Sequence, residues 1–293
     1  MKTTWSLDHD VPASLVSSQA FITPDLVHEI PSTVKRPDWT PHSLPASQID
    51  LYMDLPESND GFWIGKCLSE EPMTEKPFRN PSEDPMLRRF KASDEEFEYL
   101  EFLGKGEQGI VVSASINGVR YAVKFYFPYT RNPWSRLKPK YEHVLLDPFG
   151  GESRAFARLQ DMGEDGTFAV KCYGWIKLTG PQLDALRTRF RIWEDPTPWA
   201  LVKELVDTTA SADQLPLMIK NVDIAEQCEL YVPDVHPGNY GGGKFLDLGV
   251  AKVMPYPRLY WPALCYETLF ERTRNRLQKW IFRGAEFIEP QEG

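Results

Sequence analysis

The sequence has no apolar run approaching the roughly 18 residues that would span a bilayer. Its opening, Met1 to Asp10, lacks the apolar core of a signal peptide. Cysteine is scarce: Cys67, Cys172, Cys228 and Cys265 lie far apart and show no paired spacing. That spacing argues against a zinc site or a disulfide framework and points to reduced thiols in a cytoplasmic or nuclear setting. An excess of positive charge is also missing. Lys and Arg total 33 against 42 Asp and Glu, for a net charge of −9, so the field of the whole molecule does not favour nucleic acid. What remains is ordinary for a globular chain of 293 residues, with 42% hydrophobic and 26% charged residues.

Proline is unevenly spread. Pro12, Pro24, Pro31, Pro37, Pro41, Pro45, Pro56, Pro72, Pro77, Pro81 and Pro85 punctuate the first 90 residues. Proline at such intervals interrupts both helices and strand ladders, so residues 1–92 read as a largely disordered arm. The island Gly61-Phe-Trp-Ile-Gly65 is apolar enough to dock, either on its own domain or on a partner. Residues 93–293 read as a compact domain.

Within that domain, Phe97, Tyr99, Leu100, Phe102 and Leu103 run as a strand into Gly104-Lys-Gly-Glu-Gln-Gly109. A second strand resumes at Ile110, Asn117-Gly118 marks a hairpin turn, and Arg120 to Phe127 forms a third strand. The glycines therefore join strand to strand, which disfavours a dinucleotide-binding βαβ unit. Val111 stands two places after Gly109, and Tyr121-Ala-Val-Lys124 follows. Residues 128–148 form a proline-interrupted connection with Arg131, Arg136, Lys138 and Lys140 among aromatics. Glu152 opens a helical pattern carrying Ala155, Phe156 and Leu159 on one face. Further strands are expected at Thr167–Lys177 and Trp199–Val206, with an amphipathic helix marked by Leu183, Leu186, Phe190 and Trp193 between them. Helices follow at Pro216–Cys228 and Pro262–Arg283, the last one basic through Arg272, Arg274, Arg276, Lys279 and Arg283.

The densest chemistry lies in Tyr231 to Gly249. Asp234 is followed five residues later by Asn239, and a glycine turn then delivers Asp247-Leu248-Gly249. Two acids and an amide on such loops can hold a hard cation and orient a hydroxyl for phosphoryl transfer. Taken in chain order, the glycine loop, lysine, helix glutamate, Asp-x4-Asn and Asp-x-Gly resemble the protein-kinase superfamily.

The resemblance implies an α+β, two-lobe, protein-kinase-like fold. Its N-lobe, about 93–206, would carry an antiparallel five-stranded sheet, and its C-lobe, about 207–293, would be reduced and helical. It implies ATP and Mg2+ as cofactors. Gly104, Gly106, Gly109 and Val111 would cover the nucleotide, and Lys124 would hold phosphates with Glu152 as its partner. Glu204 and Leu205 would begin the hinge, with Lys203 behind the adenine and needing a partner of its own. Asp234 would orient the acceptor, and Asn239 and Asp247 would bind metal.

Several residues depart from the pattern. Val232-Pro233 replaces the usual His-Arg, Leu248 replaces the aromatic after the metal-binding aspartate, and no Ala-Pro-Glu follows. The stretch after Gly249 is too short for an ordinary activation segment and helical lobe. Asp234-Val-His-Pro-Gly-Asn239 is similar to aminoglycoside phosphotransferases, which implies a small-molecule acceptor. The proline-rich arm, the Glu152 helix, Val202-Lys-Glu204 and the short C-lobe together resemble compact fungal kinase-like proteins, some of them classed with a kinetochore subunit family. Three functions are thus expected. The first is an ATP- and magnesium-dependent phosphotransferase. The second is a pseudokinase scaffold at the kinetochore or chromatin. The third is a small-molecule kinase. Protein partners would bind through the arm or the C-terminal basic helix, with no membrane involved.

Overall fold

The computed structural model describes residues 64–76, 78, 84–130, 146–254, 266–283 and 286–288. Phe62 and Trp63 of the apolar island, the basic connection over 131–145, and Pro262 lie outside the described residues. The fold is mixed α+β, with one seven-stranded sheet, three two-stranded pairs and four α-helices among the described residues. No helix among them is long and apolar enough to cross a membrane.

The strands are β1 (Leu68–Pro72), β2 (Leu87–Arg89), β3 (Phe97–Lys105), β4 (Gly109–Ile116), β5 (Val119–Tyr126), β6 (Cys172–Lys177) and β7 (Trp199–Lys203), in spatial order β1-β2-β6-β7-β5-β4-β3. Strands β3 to β7 are the five expected and pair antiparallel. The β4–β5 hairpin turns on Asn117 (φ 52°) and Gly118 (φ 75°), the two left-handed residues that match the twist of a two-residue hairpin.

Two strands correct the expected architecture. β1 and β2 lie inside the stretch expected as a disordered arm, and they join the sheet in parallel at the β6 edge. Their order comes from distant contacts, which a proline count does not register. Leu68 and Leu87 are fully buried, and Trp175 Nε1 donates to Ser69 O at 2.9 Å. Gly174 (φ 121°) permits the approach: a Cβ there would lie 2.6 Å from Arg88 O. Ile64, from the apolar island, packs against the same core.

Alternation along the strands divides the interior between the two faces of the sheet. On β5, Val123 and Phe125 enter one cluster with Ile110, Val112, Ala200, Val202 and Leu186. Tyr126 and Leu201 enter the other, larger cluster with Phe156, Leu159, Met218, Val222, Phe270 and Leu277. Lys124 on β5 and Lys203 on β7 share the parity of that second face.

Helix α1 (Pro148–Asp161) covers this second face. It begins one turn earlier than expected because Asp147 caps it, accepting from Phe149 N at 3.0 Å, with proline in the first turn. Glu152 is therefore one turn inside the helix and fully buried. Two arginines pin the helix to the chain beyond Asp247. Arg154 Nη2 donates to Val253 O at 3.4 Å, and Arg158 Nη2 donates to Met254 O at 2.5 Å. Arg154 also meets Asp84 at 3.1 Å.

Helix α2 (Gly180–Phe190) covers the first face through Leu186. It stops short of Trp193, because Arg191 turns into the left-handed region (φ 53°) and leaves Trp193 94% exposed. Helix α3 (Leu215–Gln227) buries Met218, Val222 and Ala225, the expected apolar side. Helix α4 (Tyr266–Gln278) is shorter than expected at its end, since Ile281–Arg283 (β12) pairs with Glu286–Ile288 (β13) as a hairpin. Its Arg274 is spent on α3, bonding Asp223 and Glu226. Among the described residues, Cys67, Cys172 and Cys228 are free and buried.

Candidate functional site

Two short pairings frame the Asp234–Gly249 loop. Leu230–Tyr231 (β8) pairs with Lys252–Val253 (β11), closing the loop at its base. Tyr240–Gly241 (β9) and Lys244–Phe245 (β10) form a hairpin within it, turned by Gly242 (φ 56°) and Gly243 (φ 79°). This hairpin carries Asp247 toward the sheet face that holds Lys124.

Four charged side chains meet there. Lys124 Nζ lies 2.7 Å from Glu152 Oε2 and 2.6 Å from Asp247 Oδ1. Lys203 Nζ lies 2.9 Å from Glu152 Oε1 and donates to Leu246 O at 2.7 Å. Tyr126 OH donates to Glu152 Oε2 at 2.7 Å. Both oxygens of a fully buried carboxylate are thus met by charged donors, the arrangement that burial of an ion demands. Lys203, which needed a partner, finds it in Glu152 and in a backbone carbonyl.

Burial works against charge on Asp247, yet the cations of Lys124 and Lys203 prevail and hold its carboxyl down at about 2. Gly249 N also donates to Asp247 Oδ1 at 2.8 Å. Burial likewise works to discharge Lys124, and Glu152 and Asp247 outweigh it, so its pKa is raised.

The second group is more open. Asp234 has a 57% exposed side chain, with His236 Nε2 3.6 Å from its Oδ2. His236 leads the effects that hold the Asp234 carboxyl below its ordinary value, against partial burial and with help from Asn239. Asn239 Nδ2 donates to Asp234 O at 2.9 Å and to Oδ2 at 3.1 Å. The backbone of Leu246 links the two groups: its carbonyl accepts from Lys203 Nζ, and its N–H donates to Asn239 O at 2.7 Å.

The glycine loop closes over Asp247 from β3 and β4. Gly109 is required by packing, because a Cβ there would lie 1.9 Å from Phe125 O. Gly104 and Gly106 have no such neighbour within 4 Å, so the chain's own packing does not ask for glycine at either place. Val111 sits opposite Lys124 in the β4–β5 register. Gln108, absent from the expected site, turns inward: a Cβ on Gly249 would lie 2.0 Å from Gln108 Oε1. A loop side chain two residues past the second glycine was the available signal.

Glu204 and Leu205 lie just beyond β7. Glu204 holds Lys244 Nζ at 2.8 Å and accepts from Lys171 N at 3.0 Å, so its carboxylate is committed to the protein. Leu205 is half-buried. For magnesium, the donors on hand are the carboxylate of Asp247 and the amide oxygen of Asn239. Both are hard oxygen ligands of the kind magnesium takes when substrate phosphates and water complete its shell. Among the described residues no three His, Cys, Asp or Glu side chains gather as a metal-binding group.

None of the curated proteins matches this chain. The family model described as Kinetochore Sim4 complex subunit FTA2 matches residues 68–252. The match begins with β1 and ends in β11, taking in the whole sheet, α1 to α3 and every charged residue of the site. The kinetochore-subunit part of the expected resemblance is therefore borne out, and the chain belongs to the Kinetochore Sim4 complex subunit FTA2 family.

Proposed function

We propose that this chain is a kinetochore subunit of the nucleus that works by holding protein partners on a kinase-like frame. The family match carries this reading, since it runs from β1 to β11 and covers the residues from Lys124 to Asp247. The state of the site supports it too. Lys124, Lys203, Glu152 and Asp247 satisfy one another, which lets them serve as a buried pin between the sheet, α1 and the Asp247 loop. Arg272 on α4 and Lys279 just past its end are exposed and offer basic charge to an acidic partner.

The test is assembly. The full chain would be mixed with the remaining subunits of a Sim4 complex and followed by size-exclusion chromatography. Wild type and Lys124→Met should co-elute with the complex equally, without ATP. Deletion of residues 1–63, which spares β1 and β2, should weaken assembly where the arm takes part. A folded Lys124→Met that fails to assemble, or an absolute need for ATP and magnesium, would overturn the scaffold reading.

A second reading is favoured by one observation: Lys124, Glu152 and Asp247 lie within hydrogen-bond distance, with Asp234 and Asn239 joined on the neighbouring loop. In this reading the strands β3 to β7 with α1 form a kinase-like N-lobe and the site binds ATP with magnesium for phosphoryl transfer. Lys124 would hold phosphates, Asn239 and Asp247 would hold the metal, and Asp234 would orient the acceptor, whether protein or small molecule. ATP turnover by wild type that disappears in Asp247→Asn would support it. Equal silence of both proteins would leave the scaffold alone.

A further inference from the structure

The glycine loop departs from its own exposure pattern at one residue. Lys105, Gly106 and Glu107 point to solvent, whereas Gln108 folds beneath them. Its backbone is anchored, with Gln108 O accepting from Phe127 N at 2.9 Å. Its carboxamide rests on Gly249: a Cβ at that glycine would lie 2.0 Å from Gln108 Oε1 and 3.1 Å from Asp247 Oδ1. The space over Asp247 on the loop side is thus filled by this side chain. Gln108 Oε1 is buried and has no hydrogen-bond partner. A buried acceptor without a donor costs free energy, so the seated position is held by shape and not by bonding. Turning the amide over would exchange its oxygen and nitrogen but fill the same space.

We propose that Gln108 is a plug: its carboxamide, seated on Gly249 beside Asp247, keeps phosphate groups from the Lys124–Asp247 site until the loop lifts it away. The loop is built to permit the lift. Its tip is exposed, the space where a Cβ of Gly104 or Gly106 would lie is open, the side-chain tie at the tip is the exposed ion pair of Lys105 with Glu194, and the turn is closed by the local bond from Gly106 N to Gly109 O at 2.9 Å. The ligand class is a phosphate-bearing nucleotide with magnesium, so the inference rests on the second reading of the site. It adds that a scaffold can carry an intact phosphate site and still show little affinity. A plug seated nine-tenths of the time weakens apparent affinity about tenfold, since only the open fraction binds.

The experiment is calorimetric titration of the full-length protein with Mg-ATP, using wild type, Gln108→Ala and Gln108→Leu, each first matched in melting temperature. Gln108→Ala should bind at least about tenfold more tightly than wild type. Gln108→Leu, which keeps the bulk without the amide, should stay close to wild type. Equal affinities for Gln108→Ala and wild type would overturn the plug while leaving nucleotide binding in place. A folded Gln108→Ala that binds no Mg-ATP at millimolar concentration would overturn both the plug and the nucleotide reading.

Discussion

The two halves of the site are built on opposite terms. Lys124, Glu152 and Lys203 are buried, and each ammonium or carboxylate is met by partners from other elements. Asp234, His236 and Asn239 are half in solvent and are held mainly by one another. Charge in the first half is expensive to isolate and therefore structural. Charge in the second half is screened by water and contributes little to folding. A residue type that suits catalysis can thus be kept for either reason, and the difference between the halves gives a way to tell which.

Glu152→Ala should give the largest effect. It strips the ammonium of Lys203 of its carboxylate partner in the interior, leaving Leu246 O as its hydrogen-bond acceptor, and removes one of two carboxylates from Lys124. A loss of about 3–5 kcal/mol in denaturant unfolding is expected. A loss below about 1 kcal/mol would place the buried half in the same class as the exposed one.

Lys124→Met should cost less, about 1–3 kcal/mol, because Glu152 keeps Lys203 and the Tyr126 hydroxyl. The order Glu152→Ala worse than Lys124→Met is the sharper claim, and urea midpoints for the two variants measured together would decide it.

The acid that caps α1 supplies a pH signature on the buried side. Burial pushes the Asp147 carboxyl up to about 7, against the bonds it accepts from Phe149 N and Gly150 N. An acid whose folded pKa lies above its ordinary 3.8 holds its proton longer in the folded state. Stability should therefore fall as pH rises from about 4 to about 7 and level off above that. Asp147→Asn keeps an acceptor at the cap and should flatten this slope. Thermal melts of both proteins across that window would show it, and parallel profiles would rule the cap out as the cause.

Asp234→Asn should move stability least, within about 0.5 kcal/mol either way. Any ATP turnover the protein possesses should nevertheless vanish with it. A large stability loss here would erase the distinction between the halves.

How much of this was legible in the sequence depended on how local the cause was. Strands β3 to β5 follow from alternation and from Asn117-Gly118, signals contained within a few residues. The convergence of Lys124, Glu152 and Asp247 was reachable through the order of motifs along the chain. β1 and β2 were not, because three to five residues among prolines acquire strand form only by pairing with each other and, through β2, with β6. Their trace in the sequence was Gly174, a glycine inside a strand, which marks a close backbone approach without saying what approaches. Asp147-Pro148 is a readable helix start one turn ahead of Glu152. The inward turn of Gln108 was legible only as a long polar side chain inside the glycine loop, because its direction is set by neighbours distant in sequence.

Arg154 and Arg158 tie α1 to the carbonyls of Val253 and Met254, and Arg154 also reaches Asp84 ahead of β2. Three stretches remote in sequence are thereby stitched through one helix. In amide hydrogen exchange, the backbone of α1, β2 and the segment after Asp247 should open together as one cooperative unit, because none can leave without stranding a guanidinium in the interior. A kinase-like helix that swings to set activity would exchange by itself; here the helix and its surroundings would share a single opening free energy, giving a rigid gauge between sheet and loop.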